Sequence, residues 1–188
     1  MKKIFQMLLI VCMVVLSTQV AFANADKVTV QDGADLTSIH RLAIGSPLYM
    51  QVDPKSPNKD MLTQIVYDSS RVARCYVISY DTIAQNIKAD QNIDIKALDR
   101  RTAAKDFKQY VGNYADAYVI LTVANDSRTT FFFDVYKAGT NQLLYTYQIQ
   151  ANRSEGDTVA TYTNMSEQFY KHFERSAVEQ QKEDKKKK

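Results

Sequence analysis

The chain predicts a three-layer α/β/α sandwich on a mixed five-stranded sheet of order 2-1-3-4-5, whose last two strands form an antiparallel hairpin. Three observations predict it. Residues 117–123 are apolar at nearly every position, as a central strand covered on both faces must be. Residues 129–136 and 143–151 alternate with period two around Ala138-Gly139-Thr140-Asn141, the pattern of a hairpin. The earlier strands are separated by segments of helical spacing, and helix-connected strands pair in parallel.

The elements follow in order. Residues 24–38 are polar, with Asp32-Gly33 as a turn signal, and read as a flexible arm carrying a short strand at 27–30. Residues 41–44 open the first core strand. Gly45-Ser46-Pro47 ends its regular part, and 49–52 continue it after a bend. Pro54 and Pro57 make 53–58 a loop. Asn58 then suits a helix N-cap, because Leu62, Ile65, Val66, Ser69, Val72 and Ala73 share one helical face. Arg71 and Arg74 near its end complement the macrodipole.

Residues 75–80 form the second strand. Asp81 caps a short helix, 82–88, with Ile83 and Ile87 inward. Asp99 or Thr102 caps the next helix, whose stripe is Ala103, Phe107, Tyr110 and Val111, and Gly112-Asn113 stops it. Asn125-Asp126-Ser127 turns the chain out of the third strand. The closing helix spans 160–180, with Tyr162, Met165, Phe169, Phe173 and Ala177 as an amphipathic stripe. Residues 179–188 contain no apolar side chain and read as a disordered Lys-rich tail. The domain proper is 39–178. The third strand, being most apolar, sits beside the first near the centre. The two crossovers then leave the first strand in opposite directions, which sends their helices to opposite faces.

The first 23 of the 188 residues give the chain's destination. Lys2 and Lys3 precede ten apolar residues at 7–16, and Ala21-Phe22-Ala23 places small residues where a signal peptidase reads them. The run is too short to span a bilayer. Cleavage after Ala23 and export to the periplasm or cell envelope are expected. Cys12 lies inside the apolar run rather than after it, which argues against a lipid-modified cysteine.

The net charge of +3 comes from the ends: residues 24–181 hold 17 of the 24 basic and 19 of the 21 acidic residues. A body without basic excess argues against nucleic acid as a partner. With Cys12 removed, Cys75 stands alone, so an intrachain disulfide is excluded and a buried strand thiol is expected. Two histidines, one cysteine and Asp90, Asp94 and Asp99 at irregular spacing do not make a metal site, and five glycines include no phosphate loop. No cofactor and no catalytic residue is expected. There are twelve Tyr and no Trp; Tyr76, Tyr80, Tyr118, Tyr136, Tyr145 and Tyr147 fall on predicted strands and read as core or half-buried.

The run Tyr114-Ala115-Asp116-Ala117-Tyr118-Val119-Ile120-Leu121-Thr122-Val123 and the hairpin Val135-Tyr136-Lys137-Ala138-Gly139-Thr140-Asn141-Gln142-Leu143-Leu144 carry a resemblance. In this element order the chain resembles the amino-terminal domain of the Tol-Pal translocation protein TolB and the periplasmic domain of the curli secretion channel. It is similar also to small uncharacterised exported proteins of diderm bacteria. The resemblance spans roughly residues 39–177 and implies a non-enzymatic envelope module that binds other proteins. The chain has neither the β-propeller of the one nor the membrane-spanning hairpins of the other.

Two kinds of site are expected. In order 2-1-3 the crossovers reverse between strands one and three, and ligands in such sheets bind at the carboxyl ends of strands at that switch point. This points to Ser46, Pro47, Tyr49, Asp81, Asn125 and Asp126 as a small-ligand crevice. The hairpin segments carry few charges, which suits strand addition by a partner, with Phe132 as a contact. Lys185, Lys186, Lys187 and Lys188 would meet an anionic membrane or cell wall. A protein-interaction module is the first reading, a ligand binder the second and an enzyme of unknown class the third.

Overall fold

The structure, a computed structural model, describes residues 26–50, 56–152, 155 and 157–186. The expected signal peptide, residues 53–55 of the loop at 53–58, Lys187 and Lys188 lie outside the described residues.

The strands are β1 (Lys27–Val30), β2 (Arg41–Ile44), β3 (Leu48–Tyr49), β4 (Tyr76–Ile78), β5 (Ala117–Asn125), β6 (Thr129–Lys137) and β7 (Leu143–Gln150). The helices are α1 (Lys59–Asp68), α2 (Tyr80–Gln91), α3 (Arg100–Tyr110) and α4 (Val159–Lys186). Strand order is β1-β7-β6-β5-β2-β4, with β3 also on β5. The five strands read from the sequence thus hold their expected order; the short strand at 27–30 joins the same sheet beside β7, and the segment after the Gly45 bend pairs as the separate two-residue β3. β2 pairs in parallel with β4 and β5, while β5, β6 and β7 are antiparallel.

Alternation along β5 divides the interior. Ala117, Val119, Leu121 and Val123 face one core with α1 and α4, whereas Tyr118 and Ile120 face a second with α2 and α3. The first core is dominated by aromatic contacts between α4 and the hairpin. Phe169 stacks on Phe133 at 4.3 Å between centroids, Tyr162 meets Phe131 edge-on at 4.8 Å, and Phe173 meets Tyr145 edge-on at 5.3 Å. Tyr170, fully buried, donates to the Val66 carbonyl at 3.0 Å and ties α4 to α1.

The helix starts follow capping chemistry. Asn58 caps α1 by accepting from the Met61 N–H, and Asp99 caps α3 by accepting from Arg101 and Thr102. Ser79, not Asp81, caps α2, which therefore begins at Tyr80 and shortens the preceding strand to Tyr76–Ile78. Gly45 allows the bend between β2 and β3. Its N–H donates to the Val119 carbonyl at 2.8 Å, and a Cβ there would lie 2.2 Å from Ile120 Cδ1 and 3.2 Å from the Val119 oxygen. Gly139 turns the hairpin at φ +81°, which glycine adopts without strain.

Two segments expected to hang loose are drawn into the fold. β1 pairs antiparallel with β7, and Tyr147 donates its hydroxyl proton to the Asp26 carboxylate. Instead of fraying near residue 179, α4 runs to Lys186, and Gln180 clasps the arm: it accepts from the Leu36 N–H at 2.8 Å and donates to the Ala34 carbonyl. An amide that satisfies two backbone groups offsets the absence of apolar residues in that turn.

Asp116 joins the starts of β2 and β5. Its carboxylate accepts from the His40 and Arg41 N–H groups at 3.0 and 2.8 Å and from the Arg41 guanidinium at 3.0 Å. Burial pushes its pKa up, but these bonds outweigh burial and hold it below the usual aspartate range. The charged form is thus favoured by folding. Its contribution is complete above the unfolded aspartate pKa, near 4, and is lost as pH falls through the depressed folded value. Asp116→Asn should cost about 1–2 kcal/mol at pH 7 and flatten the acid limb of a urea-melt stability profile; an unchanged limb would dissociate Asp116 from it. Phe169→Ala should cost about 3–5 kcal/mol in the same melts.

Candidate functional site

The loops after β2, β4 and β5 meet at the carboxyl end of the sheet, where the crossovers reverse. The expected crevice residues gather at this end, but pleating and packing divide them. Ser46 is half-buried and opens towards α2 and α3, while Pro47 is buried. Tyr49 sits opposite Val123 in the β3–β5 register and so turns to the α1 and α4 side. Its hydroxyl donates to the Pro57 carbonyl at 2.6 Å. Asn125 lies on that side too: its amide donates to Ser56 Oγ at 2.5 Å and, more distantly, to Tyr162 Oη at 3.4 Å. Ser56 Oγ in turn donates to Asp157 at 2.8 Å. Asp81 is exposed at the start of α2, bonded to Lys96 at 2.8 Å, and Asp126 is exposed in the β5–β6 turn.

The polar network around Asn125 is a packed junction. Burial raises the Tyr162 phenol, and a bond to Asp157 adds to it, to about 12; burial also raises Tyr49. Both stay protonated and act as donors at neutral pH. Asn125 Oδ1 and Asp157 Oδ1 are buried without a hydrogen-bond partner among the described residues.

The open cavity lies on the other face. A cleft of about 330 Å³ runs between the starts of α1 and α2 and the side of α3 that carries Ala103 and Phe107. Leu48, Phe107 and Ile120 make its apolar floor, and Tyr80 stands at one wall. Tyr80 packs against Phe107 at 5.6 Å, and Phe107 meets Tyr118 edge-on at 5.7 Å, so the floor is held from below. Around the rim are Lys59, Lys96, Arg100 and Lys108, with Asp60 as the acidic lining residue. Of the expected set, only Ser46 lines this cleft; Asp81 reaches it through Lys96. The cations were not among the expected residues. One signal could have found them: Lys59 and Arg100 are the first residues of α1 and α3, where the macrodipole disfavours positive charge.

The expected partner contacts have a different setting. α2 and α3 cover the β4, β2 and β5 part of the second sheet face, and that apolar cluster ends at Tyr136. Beyond it, Thr122, Phe132 and Gln148 form one half-buried cross-strand row, and Asp134 and Thr146 continue the row that Ile120 begins within the cluster. Lys27 and Thr29 of β1 extend these rows to the sheet edge. Lys185 and Lys186 are exposed at the end of α4.

No group of three His, Cys, Asp or Glu side chains is placed to hold a metal ion among the described residues. No described helix is long and apolar enough to cross a membrane.

No family model and no curated protein sequence matches the chain. Several solved structures are similar in fold. The LpoB C-terminal domain from Escherichia coli is 14% identical, with a TM-score of 0.47 over 65% of this chain and 87% of its own. A PelC dodecamer, a point variant from Paraburkholderia phytofirmans, is 9% identical, with a TM-score of 0.44 over 77% and 94%. Lipoprotein GNA1162 from Neisseria meningitidis is 12% identical, with a TM-score of 0.43 over 63% and 86%. The likeness is one of fold alone, and none of these three structures is TolB or the curli channel.

Cys75, half-buried beside α4, is raised to about 12 by burial and by the neighbouring Glu174 carboxylate. Its reactive thiolate is scarce at pH 8. A thiol-exchange reagent at that pH should label the native protein at least tenfold more slowly than the urea-unfolded protein; equal rates would show an accessible thiolate.

Proposed function

We propose that the chain is an exported, non-enzymatic envelope protein that docks a partner protein at the β1 edge of its sheet. The reading of export rests on the layout of residues 1–23. The observation that supports docking is the edge itself. Gln31 donates to the Leu144 carbonyl, so by antiparallel alternation Val28 and Val30 turn their N–H and C=O groups away from β7. No described strand pairs with that side. Their side chains are each 40% exposed, although valine is normally buried when a strand has a covered face.

An edge with free backbone groups and exposed valines is a template for an extended segment. The occupant is an extended strand of another envelope protein, with apolar side chains at alternate positions to cover Val28 and Val30. The polar row from Lys27 through Gln148 to Phe132 provides a shallow wall beside the added strand.

A photo-crosslinking residue at Thr29, in cells, should capture one abundant envelope protein. Val30→Pro removes an outward donor but no bond to β7, and edge positions tolerate proline. It should abolish the adduct while lowering the melting midpoint by no more than about 2–4 °C. Adducts only between copies of this chain, or an adduct unchanged by Val30→Pro, would overturn the reading.

A further inference from the structure

We infer that the cleft between α1, α2 and α3 is a binding site for a small anionic amphiphile: one carboxylate or phosphate group attached to an apolar body. This site is on the opposite end of the sheet order from β1 and does not depend on partner docking.

The rim carries a surplus of positive charge. Lys59, Lys96, Arg100 and Lys108 face Asp60, and Asp81 is engaged with Lys96. Asp99, next in sequence to Arg100, is turned into its own helix cap, where its carboxylate accepts from Arg101 and Thr102. Two positive charges remain once Asp60 and Asp81, the acids that face the cleft or its lysine, are counted. Lys59 and Arg100 make no ion pair with a described residue, and Lys108 lies 6.0 Å over the Tyr136 ring.

Two of these cations, Lys59 and Arg100, sit where folding alone would not put them. Lys59 and Arg100 occupy the first position of their helices, and a cation there opposes the macrodipole. Local choices that oppose the fold mark functional places. The N–H groups of the three helix starts are already engaged in part by the Asn58, Ser79 and Asp99 side chains. The positive field therefore comes from the side chains, which can reach over the cleft.

The floor sets the rest of the ligand. Leu48, Phe107 and Ile120 offer no hydrogen bond, so the body that rests on them is apolar. The Tyr80 hydroxyl makes no hydrogen bond to a described residue and lies near Lys96, Asp81 and Asp60. Kept protonated by burial, it is a donor available to an anion. A volume of about 330 Å³ equals the liquid share of about eleven waters. That accommodates a ligand of about ten to fifteen non-hydrogen atoms, such as a medium-chain acid.

Calorimetric titration of the purified protein tests this with decanoate, decyl phosphate, 1-decanol and decyltrimethylammonium as probes. Decanoate or decyl phosphate should bind saturably at one site, at least tenfold more tightly than decanol, and the cation should not bind. Whichever of the two anions binds more tightly identifies the head group. Lys59→Glu with Arg100→Glu, both at exposed positions, should weaken the anion at least tenfold and leave the melting midpoint unchanged or raised. Ala104→Trp, which fills the cleft from its exposed side, should block all binding. Equal affinity for decanoate and decanol, anion binding that survives charge reversal or Ala104→Trp, or no saturable binding of either anion would overturn the inference.

Discussion

Phe169 over Phe133 is the contact on which the rest of the architecture depends. The hairpin buries Phe131, Phe133, Tyr145 and Tyr147 on one side, and these rings need a cover that only α4 supplies. Once Phe169 is stacked, Tyr162 on an earlier turn and Phe173 on the next reach Phe131 and Tyr145, and Tyr170 reaches a carbonyl near the end of α1. The same helix then brings Glu174 to the N–H groups of Arg74 and Cys75 and Gln180 to the arm. One amphipathic helix therefore sets the position of the hairpin, the first crossover and the amino-terminal strand. Its aromatic side chains achieve this because flat rings bury much area while losing few rotatable bonds.

Much of this was legible in sequence. Residues 117–123 are apolar at nearly every position, and the structure buries the odd positions in one core and Tyr118 in the other, with Ile120 and Thr122 half-buried. Strand order followed from placing this most apolar strand beside the first, which sends the crossover helices to opposite faces. Capping was legible where one candidate stood alone, as at Asn58, and misread where two lay close. Ser79 and Asp81 both suit a cap, but Ser79 wins because its hydroxyl reaches the Thr82 N–H while Ile83, Ala84 and Ile87 all turn inward. The role of β1 was less legible, because a four-residue strand exposed at every position carries no burial pattern. Gln180 was invisible: a polar residue near a charged tail gives no sign that its amide meets two backbone groups from a segment far away in sequence.

The site was legible as a place more than as a set of residues. Topology pointed to the carboxyl ends of β2 and β5, and a cleft is there. Its lining, however, depends on which way each side chain leaves the pleat. Leu48 and Tyr49 are neighbours, yet Leu48 enters the cleft while Tyr49 enters the junction behind the sheet. The rim also draws on residues of α1 and α3 that only tertiary packing brings beside Ser46. Position along the chain could not reveal that Lys59 and Arg100 face a common space.

The helix that closes the larger core is synthesised after every strand it covers. Every strand of the hairpin is polymerised before Phe169 exists to cover it. A nascent chain that has reached Gln150 therefore carries a complete sheet sequence with one aromatic face wet. Such a chain has little reason to become compact early, because the burial that would stabilise it waits on the 28 residues of α4. Premature termination anywhere before α4 leaves a sticky product rather than a smaller folded one. Synthesis order and packing order are thus locked together, and the sheet waits for the helix that follows it.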